Sequence, residues 1–342
     1  MVGSMIGNIG MIDKKKSIVG IDLFKLLFTV FIPLLHIKYM EGGITIFLSQ
    51  YLARMGVPFF FCCTGYFLEG SIKTTTIGCA CRKYCIRSLW LLCLWLPVIV
   101  PMYINNIYGR FQLSDSEILD IFKNLLFLSP GYLWYLSASV FGILIYCGLK
   151  QFFLDKPGVL LFVGGALYLI GCLGNSWDFL KLIPEWYYDF FLSTRNGLFF
   201  AAPLMMVGAF IYNHPDIKAR YLMPIVILAY FVEVFLVRNI VDAKTDTSMY
   251  FTIPFLLYYI MTTALGIRVS EKTEHFLKET RQWGVLFYCM QYPCFTVIEY
   301  FTRNELSTTA TILVNYLGLL ICSVIAYLFI HKSGVKWLHR FI

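Results

Sequence analysis

The residues best placed to do chemistry are ionisable groups standing inside apolar runs. Asp22, Lys25 and His36 lie in the first such run. An ionisable side chain in hydrocarbon is costly, so each marks a candidate site. Read as one α-helix, the eleven steps from Lys25 to His36 turn by about 1100°, roughly 20° past a whole number of turns, and rise about 16 Å. Lys25 and His36 then share a face, with Asp22 and Thr29 on the same stripe. A cation near one mouth of such a seam can hold an anionic group. An imidazole deeper in it can act as a general base, because its ordinary pKa lies near neutrality. The same spacing also fits an Asp22–Lys25 ion pair one turn apart, with His36 packing at an interface.

Other groups invite the same question. Arg54 keeps its proton, so it needs an anion or a ring of carbonyls; a snorkelling Arg on a kinked packing helix is the alternative. Pro58 follows it and frees a carbonyl, and Gly56 and Gly65 permit close helix approach, with Thr64 and Tyr66 alongside. Tyr132-Leu133-Trp134-Tyr135 opens a later apolar block, as an interfacial aromatic belt does. Arg195-Asn196-Gly197 opens another, where a helix N-terminus favours anions; a capping Asn196 beside an interfacial Arg195 is the alternative. Glu233 stands in a run without an evident partner, Glu299 lies within a turn of Arg303, and His36 with Glu41 forms a weak H-x4-E string. Cys79, Cys81 and Cys85 cluster, but no further Cys or His completes a metal set, so no metal site is expected.

The elements that must position these residues follow from composition. Of 342 residues, 59% are hydrophobic and 14% charged, against roughly a quarter charged in soluble domains. The apolar residues form blocks near 18–38, 44–68, 86–104, 132–149, 158–174, 196–212, 221–237, 249–267, 284–301 and 309–330. Each is about long enough to cross a bilayer as a helix, the form that satisfies its own peptide groups there. The expected fold is all-α: a polytopic transmembrane bundle of about ten helices, with a short amphipathic helix near 118–128 at the interface. Placing the N-terminus in the cytoplasm puts most of the 28 Lys and Arg on the inner side. Both termini are then cytoplasmic, with a leader over 1–17, a membrane domain over 18–331 and a tail over 332–342. The first block carries Asp22 and Lys25 and lacks a small-residue cleavage site, so it reads as a retained helix. The net charge of +8 is a topology signal, and nucleic-acid binding is not expected.

Taken together the motifs resemble the acyltransferase-3 family of membrane proteins. The carrying residues are Gly20-Ile21-Asp22-Leu23-Phe24-Lys25, His36 after ten more, Arg54 with Gly56-Val57-Pro58-Phe59-Phe60-Phe61, and Thr64-Gly65-Tyr66. Lys25 stands where that family usually has Arg, Thr64 where it has Ser, and Tyr132 where a His often precedes Leu-Trp. Within the family the chain is most similar to the membrane domain of VanT-type vancomycin-resistance serine racemases. That likeness rests on Tyr168-Leu169-Ile170-Gly171, Asn175-Ser176-Trp177, Thr194 through Phe200, and Asp246-Thr247-Ser248-Met249-Tyr250.

The family resemblance implies a bacterial, multi-pass membrane enzyme. It would move an acyl group from cytosolic acyl-CoA to a hydroxyl or amine acceptor of the cell envelope, with no permanently bound cofactor. His36 would be the catalytic base. Lys25, Arg54 and Arg195 would hold donor phosphates or a developing oxyanion. Asp22, Thr64, Tyr66, Trp134 and Asn196 would support them. The VanT likeness implies instead L-serine uptake or delivery to a pyridoxal-phosphate serine racemase domain, for which no segment after His331 is long enough. A scaffold that anchors a partner is a third possibility.

Overall fold

The computed structural model describes residues 18–37, 43–128, 132–153, 156–215, 220–239, 247–302, 307–335 and 338. The expected leader, Glu41, Asp246, Arg303 and most of the tail lie outside the described residues. Among the described residues the protein is all-helical, with no strand. A helix underlies each of the ten apolar blocks. These are α1 (Val19–Phe31), α2 (Gly43–Thr74), α3 (Ile77–Tyr108), α5 (Trp134–Phe152), α6 (Pro157–Leu173), α8 (Gly197–Asn213), α9 (Met223–Asn239), α10 (Ile253–Gly266), the paired α11 (Glu271–Cys289) and α12 (Gln291–Thr302), and α13 (Thr308–Lys332). Two short helices lie between blocks, α4 (Asp115–Lys123) and α7 (Glu185–Phe191). Among them α2, α3, α5 and α13 are long and apolar enough to cross a membrane, and α6, α8 and α10 are shorter apolar helices.

Local chemistry sets several boundaries. The amphipathic helix starts earlier than its apolar pattern indicates, because Ser114 and Glu117 form a capping box. The segment between the eighth and ninth apolar blocks is the polar first half of α11. Ser270 caps it, and a Glu274–Lys278 pair of 2.7 Å supports it one turn in. The ninth block itself is split between α11 and α12, because Pro293 has no N–H for the Cys289 carbonyl.

The centre of the bundle is the crossing of α2 and α8. Their backbones meet so closely that a methyl group on Gly65 would overlap the Met205 carbonyl, and one on Gly208 would overlap the Cys62 carbonyl. Small residues at a crossing let two helices gain dispersion contact along their lengths. At one end of this pair, buried Glu69 of α2 accepts from Tyr146 (2.5 Å) and Lys150 (2.7 Å) of α5 and from Asn213 (3.0 Å) of α8. The C-terminal ends of α2, α5 and α8 therefore meet on one carboxylate.

Gly65→Ala and Gly208→Ala are each expected to destabilise the folded chain by about 1–3 kcal/mol, the usual cost of overpacking. Gly78→Ala, where an added methyl meets nothing within 4 Å, is the matched control. Thermal unfolding in detergent should separate the first two variants from the third.

Candidate functional site

The polar seam expected along the first helix does not persist in the structure. Asp22 is buried and does not pair with Lys25. It receives both arms of the Arg281 guanidinium from α11, the Nε–Oδ1 bond being 2.8 Å. The Lys25 ammonium lies over the Phe67 ring of α2, 4.8 Å from its centroid, in a cation–π contact. Helix α1 ends at Phe31 and the chain continues as a 3₁₀ turn over Ile32–Leu35, with Pro33 inside it. Five steps then turn by about 120° each instead of 100°. Lys25 and His36 end up about 120° apart around the axis rather than 20°. His36 stacks instead on Tyr132, just before α5, with ring centroids 3.8 Å apart and planes 18° from parallel. A cavity of about 470 Å³ opens between the start of α2 and α9, walled by Phe47, Tyr51, Phe231 and Phe235; neither Lys25 nor His36 lines it.

Two of the other expected residues do come together. The Arg195 guanidinium sits 4.6 Å from the Trp134 ring centroid, and Trp134 stacks toward Phe200 at 6.0 Å. Next to Trp134, the Tyr135 hydroxyl lies 3.4 Å from that of Thr64, which also donates to the Phe60 carbonyl at 2.9 Å. Arg54 reaches back one turn to the Gln50 side-chain oxygen at 2.9 and 3.1 Å. Tyr66 packs edge-on against Tyr212. Asn196 is a helix cap: its oxygen accepts from the Leu198 and Phe199 N–H groups at 2.9 and 3.2 Å, while its amide donates to the Tyr187 hydroxyl and the Ser193 carbonyl.

The strongest polar construction is one that the sequence left as scattered strings. Thr247–Tyr250 run outside any helix and buried before α10. Their N–H groups have no helical partner, and side chains from other elements supply acceptors. Asn175 takes the Ser248 and Met249 N–H groups at 2.8 and 3.1 Å, and Tyr168 donates to the Tyr250 carbonyl at 3.0 Å. Glu233 of α9 accepts from the Phe251 N–H (2.7 Å), the Thr252 N–H (2.9 Å), the Thr252 hydroxyl (2.6 Å) and the Trp177 indole (3.1 Å). A carboxylate at this point also sits favourably at the α10 N-terminus. Glu233 lacked a visible partner in the sequence because two of its donors are backbone groups 18 and 19 residues on and the others are a hydroxyl and an indole, none of them charged. The available signal was the pair of polar strings, Asn175-Ser176-Trp177 and Thr247-Ser248, flanking apolar blocks.

A second polar corner surrounds His36. Tyr132 has a positive φ of 67°, a strained backbone for a bulky residue. It is held there by the Tyr288 hydroxyl, which donates to its carbonyl at 2.6 Å, and by Tyr292 edge-on at 5.4 Å. Asn106 in turn donates to the Tyr292 hydroxyl at 3.1 Å. A stacked imidazole among phenols and freed carbonyls can bind and orient a small polar solute.

The fold and these corners define a class, an all-helical bundle of membrane-protein character whose polar groups gather where helices are interrupted. Comparison with known proteins narrows it. No protein-family model and no solved structure matches the chain. Three curated relatives do. One amino-acid racemase of Enterococcus faecalis is 27% identical over 217 residues, covering 59% of this chain and 29% of the relative. A second amino-acid racemase of that organism is 26% identical over 328 residues, 90% of this chain and 45% of the relative. A serine/alanine racemase of Enterococcus gallinarum is 23% identical over 325 residues, 89% of this chain and 45% of the relative. The chain thus spans less than half the length of these relatives. Their names overturn the expected reaction: they are racemases, and racemisation is a different kind of chemistry from acyl transfer with acyl-CoA as donor. With no family model matching, the acyltransferase-3 resemblance has no support.

Replacing Glu233 by Leu strands the Trp177 indole and two peptide N–H groups, at about 1–3 kcal/mol for each buried donor. Glu233→Gln, which keeps one accepting oxygen, should fall between Leu and the native residue. Unfolding midpoints of the three chains in one detergent give the order.

Proposed function

We propose that this chain is the membrane part of an amino-acid-racemising system, taking up L-serine or a similarly small amino acid, or delivering it to a racemase. The carrying observation is one of coverage. Ninety per cent of this chain aligns with an amino-acid racemase, yet uses 45% of that relative's length. What the chain has in common with the racemase is therefore an apolar helical portion, and such a portion suits passage or delivery of a substrate.

The corners described above fit that role. A zwitterionic amino acid needs acceptors for its ammonium group and donors for its carboxylate, in a path shielded from lipid. Freed backbone groups beside broken helices provide these. In this reading the chain crosses a bacterial cell membrane about ten times, with both termini in the cytoplasm. The meeting of α2, α5 and α8 at their C-terminal ends on Glu69 supports the alternation. These three helices are the second, fourth and sixth blocks, which run in one direction in that topology.

Proteoliposomes holding the purified chain are expected to accumulate radiolabelled L-serine saturably, with L-alanine competing. Uptake no greater than in protein-free liposomes, from protein with an intact melting transition, would reduce the chain to an anchor.

A further inference from the structure

Among the described residues, Gln291 is the buried side chain with both polar atoms stranded. It is 1% exposed, and neither its Oε1 nor its Nε2 has a hydrogen-bond partner. Burying an amide in this way is expensive, because the groups it bonded in water are not replaced. Buried polar groups are nearly always hydrogen-bonded, so a stranded one calls for an explanation, and a functional role is one of the few that apply.

The placement of Gln291 gives the expense a purpose. It opens α12 immediately after the break at Met290. The helical register runs through that break, since the Met290 N–H reaches the Leu286 carbonyl at 2.8 Å and the Cys294 N–H reaches the Met290 carbonyl at 3.0 Å. Residues 287, 291, 294 and 295 therefore share one face. Phe287, Cys294 and Phe295 pack in a single cluster with Ile37, flanked by Leu34 and Tyr132. That face packs against Leu319 of α13 and against Ile37 at the end of the first helix, with Tyr132 of the His36–Tyr132 stack at its edge. Helix α12 and the end of the first helix each carry a proline. Pro293 has no N–H for the Cys289 carbonyl, and Pro33 has none for the Thr29 carbonyl. Paired interruptions of this kind are how helical membrane bundles present backbone groups to a small polar solute.

We propose that Gln291 is a binding residue for a zwitterionic α-amino acid, an assignment that rests on the amino-acid-handling reading above. Its Oε1 and the Cys289 carbonyl accept from the α-ammonium group, and its Nε2 donates to the α-carboxylate. A simple anion would use the donor alone, and a simple cation would leave that donor stranded; a ligand with both charges side by side meets both ends of the amide. In this structure the amide is closed off from solvent. Entry of the ligand requires α12 to swing about Met290, and binding offsets the cost that the closed state carries.

The test compares wild type with Gln291→Leu and Gln291→Met, using full-length chain and L-serine as the probe. Both variants remove the stranded amide while keeping bulk. Their melting temperatures without serine are expected to equal or exceed that of wild type. The serine-induced rise in melting temperature should disappear, and KM for uptake should rise tenfold or more. A residue with a purely structural role gives the reverse pattern, a lower melting temperature with KM unchanged. Wild-type KM in both variants overturns this assignment and leaves serine uptake standing. A wild-type chain that neither takes up nor is stabilised by serine, alanine or glycine overturns the amino-acid reading itself, and the assignment with it.

Discussion

A peptide group inside an apolar bundle has no water to turn to, and the polar architecture of this protein follows from that constraint. Within a helix the demand is met four residues along. Wherever a helix stops, a side chain from elsewhere has to meet it. Asn196 serves the start of α8, Asn175 and Glu233 serve the non-helical run before α10, and Tyr288 serves the carbonyl of strained Tyr132. With the exception of the local Asn196 cap, the serving side chain comes from a distant element. Satisfying the backbone thus also fastens the helices to one another, and it concentrates polar groups at the interruptions.

The charged groups obey the same logic with different weights. Glu69 is fully buried and the Lys150 side chain is 10% exposed, so neither charge has solvent to fall back on. Losing one partner there strands the other in a medium of low polarity, the case in which a broken pair costs most. The Asp22–Arg281 pair is lopsided. Asp22 is 4% exposed but Arg281 is 45% exposed, so water screens the cation and the pair contributes less. It serves mainly to seat Asp22, which is the side that cannot be left alone. Glu233 is a third solution, a carboxylate met by the dipoles of two peptide N–H groups, a hydroxyl and an indole. The three carboxylates fasten α1 to α11, α2 to α5 and α8, and α9 to α10.

Much of the helix order was legible from apolar blocks alone, because burial length and peptide satisfaction leave few alternatives. The parts that were not legible share a cause. The polar half of α11 carries Glu271 through Gln282, a stretch without the apolar signal that marked the other elements. Arg281 is 259 positions from Asp22, and Lys150 is 81 from Glu69. Pairings at such separations are set by packing, and a single sequence carries no trace of them. The Asn196 cap and the small-residue role of Gly65 were legible, because a cap and a close crossing are local properties of residue type.

The failed seam on the first helix shows how a functional reading can outrun its geometry. It assumed an α-helix from Lys25 to His36, although Pro33 stands between them in plain view. A proline there removes a donor and tightens the turn, and that alone moves the imidazole to another neighbour. The residue types in that stretch, a cation, a carboxylate and an imidazole among apolar neighbours, serve an acyl donor, an amino acid or a packing role equally well. Residue type therefore could not choose between the reactions; the racemase names of the relatives turned the reading away from acyl transfer. Under the function proposed above, the chemistry to look for in the bundle is recognition of a zwitterion, for which stranded amides and freed carbonyls are better suited than a general base.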